Sequence, residues 1–119
     1  MPAPTGRLAE DAAAFLDYLA GAWSPTRAAR LLLEVATRVR ASDVHLETEP
    51  AGVAVHLRCV GALVPFVVLP AARGDRLIAA LKHVSGCLPY RRDVSQEGRV
   101  SRDGVAADVR TSFLPTALG

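Results

Sequence analysis

Lysine is almost missing from this 119-residue chain: Lys82 stands alone against thirteen arginines. Beside 21 alanines, that excess carries the mark of a GC-rich coding sequence more than of a dedicated basic surface. Twelve acids leave a net charge of only +2, so bulk electrostatics gives no support to nucleic-acid binding. Cysteine is scarce too. Cys59 and Cys87 show neither CxxC spacing nor a His/Cys cluster, which reads as two buried, reduced thiols. The longest uncharged run, residues 59–72, is interrupted by Gly61, Pro65 and Pro70 and is too short to span a bilayer. No basic segment followed by an apolar block opens the chain, so a secretory leader is not expected and the cytoplasm is the default compartment. A G-x-x-x-x-G-K-[ST] loop, a G-x-S-x-G elbow and an H-E-x-x-H helix are all missing. The chain is not expected to be an enzyme on its own.

What is present points to one folded domain. Half of the residues are hydrophobic and 22% are charged, a mixture that argues against disorder. Leu8, Ala12, Phe15, Leu16 and Leu19 recur at helical spacing within 7–22. Ser24 and Pro25 then supply an N-cap and a first helical position for a second helix to about Arg40, with Ala28, Leu31, Leu32, Val35 and Val39 on one face. The period changes to two in Asp43-Val44-His45-Leu46-Glu47, a half-buried strand. A turn at Pro50-Ala51-Gly52 leads to a second strand at 53–58, and a third, more apolar one covers 62–69. A helix over 76–84 follows, with Lys82 expected at its solvent end and Gly86 as its stop. Asp103-Gly104 between Val100 and Val105 signals a hairpin. The order implies an α+β fold, an antiparallel sheet covered by helices.

Three constellations bear on chemistry. Asp43, His45 and Glu47 project from one strand face. If Thr48 pairs with Val53, His45 falls opposite His56 and Asp43 opposite Arg58. A metal or a general base is one reading of that cluster; a polar face with cross-strand charge pairs is the other, and ligands along one flat strand do not wrap a cation. In the last hairpin, a two-residue turn at Asp103-Gly104 puts Arg99 opposite Asp108 and Arg110 opposite Glu97, on one face with Ser101. These pairs read either as a salt-bridged solvent face or as two pre-positioned arginines awaiting a phosphate. Third, Asp93-Val94-Ser95-Gln96-Glu97-Gly98 fits the D-x-S-x-x-G pattern of PilZ domains, which bind cyclic dinucleotides, without the R-x-x-x-R that accompanies it there.

Read in order, the fragments resemble the hexameric ATPases of type II secretion and type IV pilus assembly. The matching residues are Ala41-Ser42-Asp43-Val44-His45-Leu46-Glu47, Val55-His56-Leu57-Arg58, Gly61-Ala62-Leu63, Leu69-Pro70, Gln96-Glu97-Gly98-Arg99 and Asp108-Val109-Arg110-Thr111-Ser112-Phe113-Leu114-Pro115-Thr116. The resemblance covers about residues 25–119 and implies a PAS-like domain of the kind that precedes the ATPase core. Residues 1–24 are then a tail with an extra helix, a linker or a partner arm. It further implies packing against the ATPase core of the same or a neighbouring subunit in a hexamer. Arg99 and Arg110 would reach the nucleotide bound next door, while Asp43, His45, Glu47, Arg58 and Asp108 serve fold and interface, with no metal. ATP and Mg²⁺ would be held by that core, whose Walker A and Walker B motifs this sequence does not contain. Expected partners are that core and the inner-membrane platform, with the domain cytoplasmic or peripheral at the inner membrane through those partners. The sequence departs from the family at Val60, where an acid precedes Gly, at Ser95 in place of Pro, and in a hairpin about two residues shorter. Two alternatives compete: a free-standing adaptor or regulatory protein of a secretion or pilus system, and a cyclic-dinucleotide sensor.

Overall fold

A computed structural model describes residues 6–21, 23–84, 96–100 and 109–114, with the backbone alone for 84, 96–100, 109–110 and 112–114. Its elements are α1 (Gly6–Ala20), α2 (Pro25–Arg38), β1 (Asp43–Glu49), β2 (Gly52–Cys59), β3 (Ala62–Leu69), α3 (Ala71–Val84), β4 (Gln96–Val100) and β5 (Val109–Leu114). The strands form one sheet in the order β3-β2-β1-β5-β4. The architecture is α+β, as the change of hydrophobic period implies. A simple antiparallel sheet does not describe it fully, because β1 and β5 pair parallel. The chain must cross over to make that junction, and no local pattern in the sequence records it.

α2 begins as its cap predicts. Ser24 is extended, its Oγ accepts the Arg27 N–H at 3.3 Å, and Pro25 occupies the first turn, where a missing N–H costs nothing. The other end closes one residue beyond Arg38, with Val39 as the C-cap. The Arg40 N–H donates to Thr37 O at 3.1 Å and the Ala41 N–H to Ala36 O at 2.8 Å, a Schellman closure. The left-handed position of that motif ordinarily belongs to glycine; here Arg40 holds it, at φ 59°. α3 starts five residues earlier than the apolar spacing suggested. Pro70 O accepts the Gly74 N–H at 2.8 Å and so closes the first turn. Gly74 then lets the helix lie against β2: a Cβ there would stand 2.4 Å from Val53 Cγ2.

One face of the sheet carries the core. Val44 and Leu46 of β1, Val53, Val55 and Leu57 of β2, and Phe66, Val67 and Leu69 of β3 pack with Leu32, Leu33 and Ala36 of α2 and with Leu77 and Leu81 of α3. α1 joins the same cluster through Ala12, Phe15 and Leu19, with the Phe15 and Phe66 rings 5.7 Å apart. Arg38 ties α1 to α2 by an ion pair with Asp11 at 2.6 Å. Phe66 and Val67 are adjacent yet both buried in one cluster, which strict alternation forbids. The register shift between Val55 and His56 resolves this, since it makes Phe66 the extra residue of a bulge on β3. Pro65 sits beside it, tolerated because β3 is an edge strand.

Lys82 is not at a solvent end; it is 4% exposed. Counting from Gly74, the inward stripe of α3 runs 74, 77, 78, 81 and 82, so Lys82 falls on its flank and is carried into the packed side of the helix. Gly86, Cys87, the Asp93-Val94-Ser95 part of the hexad, Ser101 and the Asp103-Gly104 turn lie outside the described residues.

The β2–β3 connection stores strain. Val60 and Gly61 are the two residues between the Cys59–Ala62 pair, and both have positive φ, 51° and 78°. That is the type I′ geometry, which favours Asn-Gly or Asp-Gly and penalises a β-branched residue at its first position. Val60 is also fully exposed and gains nothing from burial. Replacing it, Val60→Asn, is expected to raise stability by about 1 kcal/mol in urea unfolding. Gly74→Ala is expected to lower it by about 1–3 kcal/mol, since Val53 or the whole helix has to move. A neutral result for Gly74→Ala contradicts the close approach of α3 to β2.

Candidate functional site

The face of the sheet opposite the helices carries the polar residues. The β1–β2 hairpin has the register that follows from a Thr48–Val53 pair, with His45 beside His56 and Asp43 beside Arg58; Glu49 pairs with Gly52, so the turn is Pro50-Ala51 rather than Pro50-Ala51-Gly52. Parallel pairing with β5 then sets Arg110 beside Asp43, and β4 sets Arg99 beside Arg110. Residues 58, 43, 110 and 99 thus form one row across β2, β1, β5 and β4, spanning about 14 Å at the usual strand spacing. The next row holds His56, His45, Ser112 and Glu97.

Within the first row Asp43 is buried and Arg58 half-exposed. The Arg58 Nε stands 3.7 Å from Asp43 Oδ2, too long for a hydrogen bond but close enough for charge attraction. The same Oδ2 accepts the Ser42 hydroxyl at 2.6 Å, and Arg58 Nη1 donates to Gly61 O at 3.2 Å. Arg58 therefore joins the strained β2–β3 turn to the carboxylate of β1.

In the second row the His45 and His56 rings meet edge-to-face at 75°, with centroids 6.5 Å apart. The His56 Nδ1 is buried and has no hydrogen-bond partner among the described residues. Burial and the neighbouring His45 hold the His56 pKa below its ordinary value, against the opposing pull of Glu47 and Glu49. No group of three or more His, Cys, Asp or Glu among the described residues is arranged to hold a metal ion.

The hairpin register differs from the one that a tight Asp103-Gly104 turn requires. Arg99 pairs with Arg110 rather than with Asp108, and Glu97 with Ser112 rather than with Arg110. The parallel ladder from β1 fixes β5 so that Thr111, fully buried, falls on the core side. On β4 the shift brings Val100 to the position paired with Val109. It amounts to two residues, so parity is kept and positions 99 and 110 still belong to one face. Asp108 lies outside the described residues. What the sequence did not reveal is that Arg58 shares the row with Arg99 and Arg110. The i, i+2 spacing found each set separately, but only the parallel junction brings them together.

No protein-family model matches the chain. It is 38% identical over 81 residues to the type IV pilus assembly ATPase PilB of Thermus thermophilus, a match covering 66% of this chain and 9% of the relative. It is 32% identical over 95 residues to type II secretion system protein E of Xanthomonas campestris pv. campestris, covering 78% of this chain and 17% of the relative. The sequence resembles part of the secretion and pilus ATPases. The chain spans less than a fifth of either relative, and the two matches are consistent with an N-terminal domain of a secretion ATPase. Among the described residues, no helix is long and apolar enough to cross a membrane.

The histidine row gives a pH expectation. Because the folded state lowers the His56 pKa, the unfolded chain binds the proton more readily. The His56 contribution is complete above the unfolded value of 6.5 and is lost as pH falls from there through the lower folded value. Denaturant midpoints measured from pH 7.5 down to 5 should fall, and His56→Gln should flatten that part of the curve. An identical slope in His56→Gln assigns the dependence to another group.

Proposed function

We propose that this chain is a non-catalytic domain of the type found in secretion and pilus assembly ATPases. On this reading it is a PAS-like module that packs against the ATPase core of a neighbouring subunit in a hexameric ring. Arg99 and Arg110 contact the nucleotide held by that core. The observation that carries the reading is the row itself: two arginines at directly opposed positions, in a chain whose similarity is to ATPases named for pilus assembly and secretion. Like charges directly opposite each other weaken a sheet unless something anionic offsets them. The row holds one carboxylate, Asp43, against Arg58, Arg99 and Arg110.

The chemistry follows from charge placement. A phosphoryl group in transfer spreads negative charge over its equatorial oxygens, and a guanidinium supplied from the next subunit stabilises that charge. Strand positions suit this task better than loop positions, because β5 is paired on both sides and β4 is paired to β5, which fixes the spacing of Arg110 and Arg99. The nucleotide and its Mg²⁺ belong to the core, so this domain supplies charge and position while leaving the reaction to its partner. The domain acts on the cytoplasmic side and reaches the inner-membrane platform through that assembly.

In the ATPase assembly that incorporates this chain, Arg99→Ala and Arg110→Ala are each expected to lower ATP turnover about tenfold or more, with the thermal midpoint of the domain unchanged. Normal turnover in both variants means that the arginines do not serve the nucleotide.

A further inference from the structure

We infer that Arg58 is a third arginine of the same anion site, with Asp43 as the counter-ion it releases when a phosphate chain binds; the inference rests on the nucleotide-contact reading above. The row reads positive, negative, positive, positive from β2 to β4. Three arginines against one aspartate leave two positive charges in excess. Glu97 holds the next position of the same face on β4, one row away.

The geometry around Arg58 is that of a charge held ready rather than satisfied. Its side chain is 41% exposed while that of Asp43 is 8% exposed, so the guanidinium and not the carboxylate meets solvent. Their 3.7 Å approach is a charge contact without a hydrogen bond, and Asp43 Oδ2 already accepts the Ser42 hydroxyl. Of the five N–H donors of the Arg58 fork, one is engaged, by Gly61 O, among the described residues. Arginine–carboxylate pairs are frequently bidentate, with two parallel N–H···O bonds, and the Arg58–Asp43 contact is not of that kind. Here the fork is oriented by the Gly61 carbonyl and only loosely neutralised. An anion with several oxygens in line, such as the phosphate chain of a nucleotide, matches such a row better than a single carboxylate does.

Inorganic tripolyphosphate titrated into the 119-residue chain at low ionic strength, followed by amide chemical shifts, tests this. Saturable binding is expected, with amide shifts along β1, β2 and β5. Arg58→Ala should weaken it about tenfold, and Arg58→Lys should recover part of the loss. Asp43→Asn should tighten binding several-fold, because the competing charge is gone while the shape is kept; a purely structural aspartate produces no tightening. Wild-type binding in Arg58→Ala, with weakened binding in Arg99→Ala and Arg110→Ala, overturns this inference and leaves the nucleotide-contact reading standing. Wild-type binding in all three variants, or no saturable binding by the unaltered chain, overturns both. Thermal melts of each variant exclude loss of fold as the cause.

Discussion

Strand β1 is hydrogen-bonded on both sides, antiparallel to β2 and parallel to β5, and everything else is arranged around that position. Its alternate residues serve two purposes at once. Val44 and Leu46 are fully buried against the helices, and a buried side chain of this size is worth about 1.5–3 kcal/mol relative to exposure. Asp43, His45 and Glu47 take the opposite face, and Asp43 sets the row in which Arg58, Arg110 and Arg99 stand. A one-residue slip of β1 would exchange the faces, placing carboxylates in the core and valine beside the arginines. Burial of the core is therefore what holds the charged row in register.

Local features of the fold were legible because local chemistry fixes them. Ser24 and Pro25 mark the start of α2, and the two-residue turn at Pro50-Ala51 sets the β1–β2 register down to the Asp43–Arg58 pair. The failures have equally physical causes. Lys82 looked like a solvent-facing cation because lysine usually is one, but its place on the flank of the α3 stripe overrides its chemistry. The bulge at Phe66 left no mark beyond an unusual Phe-Val-Val run beside Pro65. The hairpin register went wrong because Asp103-Gly104 is a strong turn signal, whereas the competing constraint comes from β1, more than fifty residues away in sequence. Long-range parallel pairing has no local signature.

The same distinction separates what the resemblance supplied from what the geometry supplied. Similarity to the secretion and pilus ATPases directs attention to Arg99 and Arg110, and the sheet adds Arg58 by juxtaposition alone. Val60 stands at the turn beside Arg58. It replaces the acid that precedes glycine in the resembled family, and the type I′ turn explains why an acid or amide fits there. The turn persists because Gly61, its second residue, adopts a positive φ without cost, and the Gly61 carbonyl in turn holds Arg58.

The parallel junction and the hairpin register together bring residues 58, 43, 110 and 99 into one row. Interstrand nuclear Overhauser effects in the isotopically labelled chain measure both directly. A parallel ladder linking residues 43–47 to 110–114, together with antiparallel contacts between 99 and 110, is the expected result. Contacts that pair Arg99 with Asp108, or a β5 that shows none with β1, would contradict the row and the anion site proposed on it.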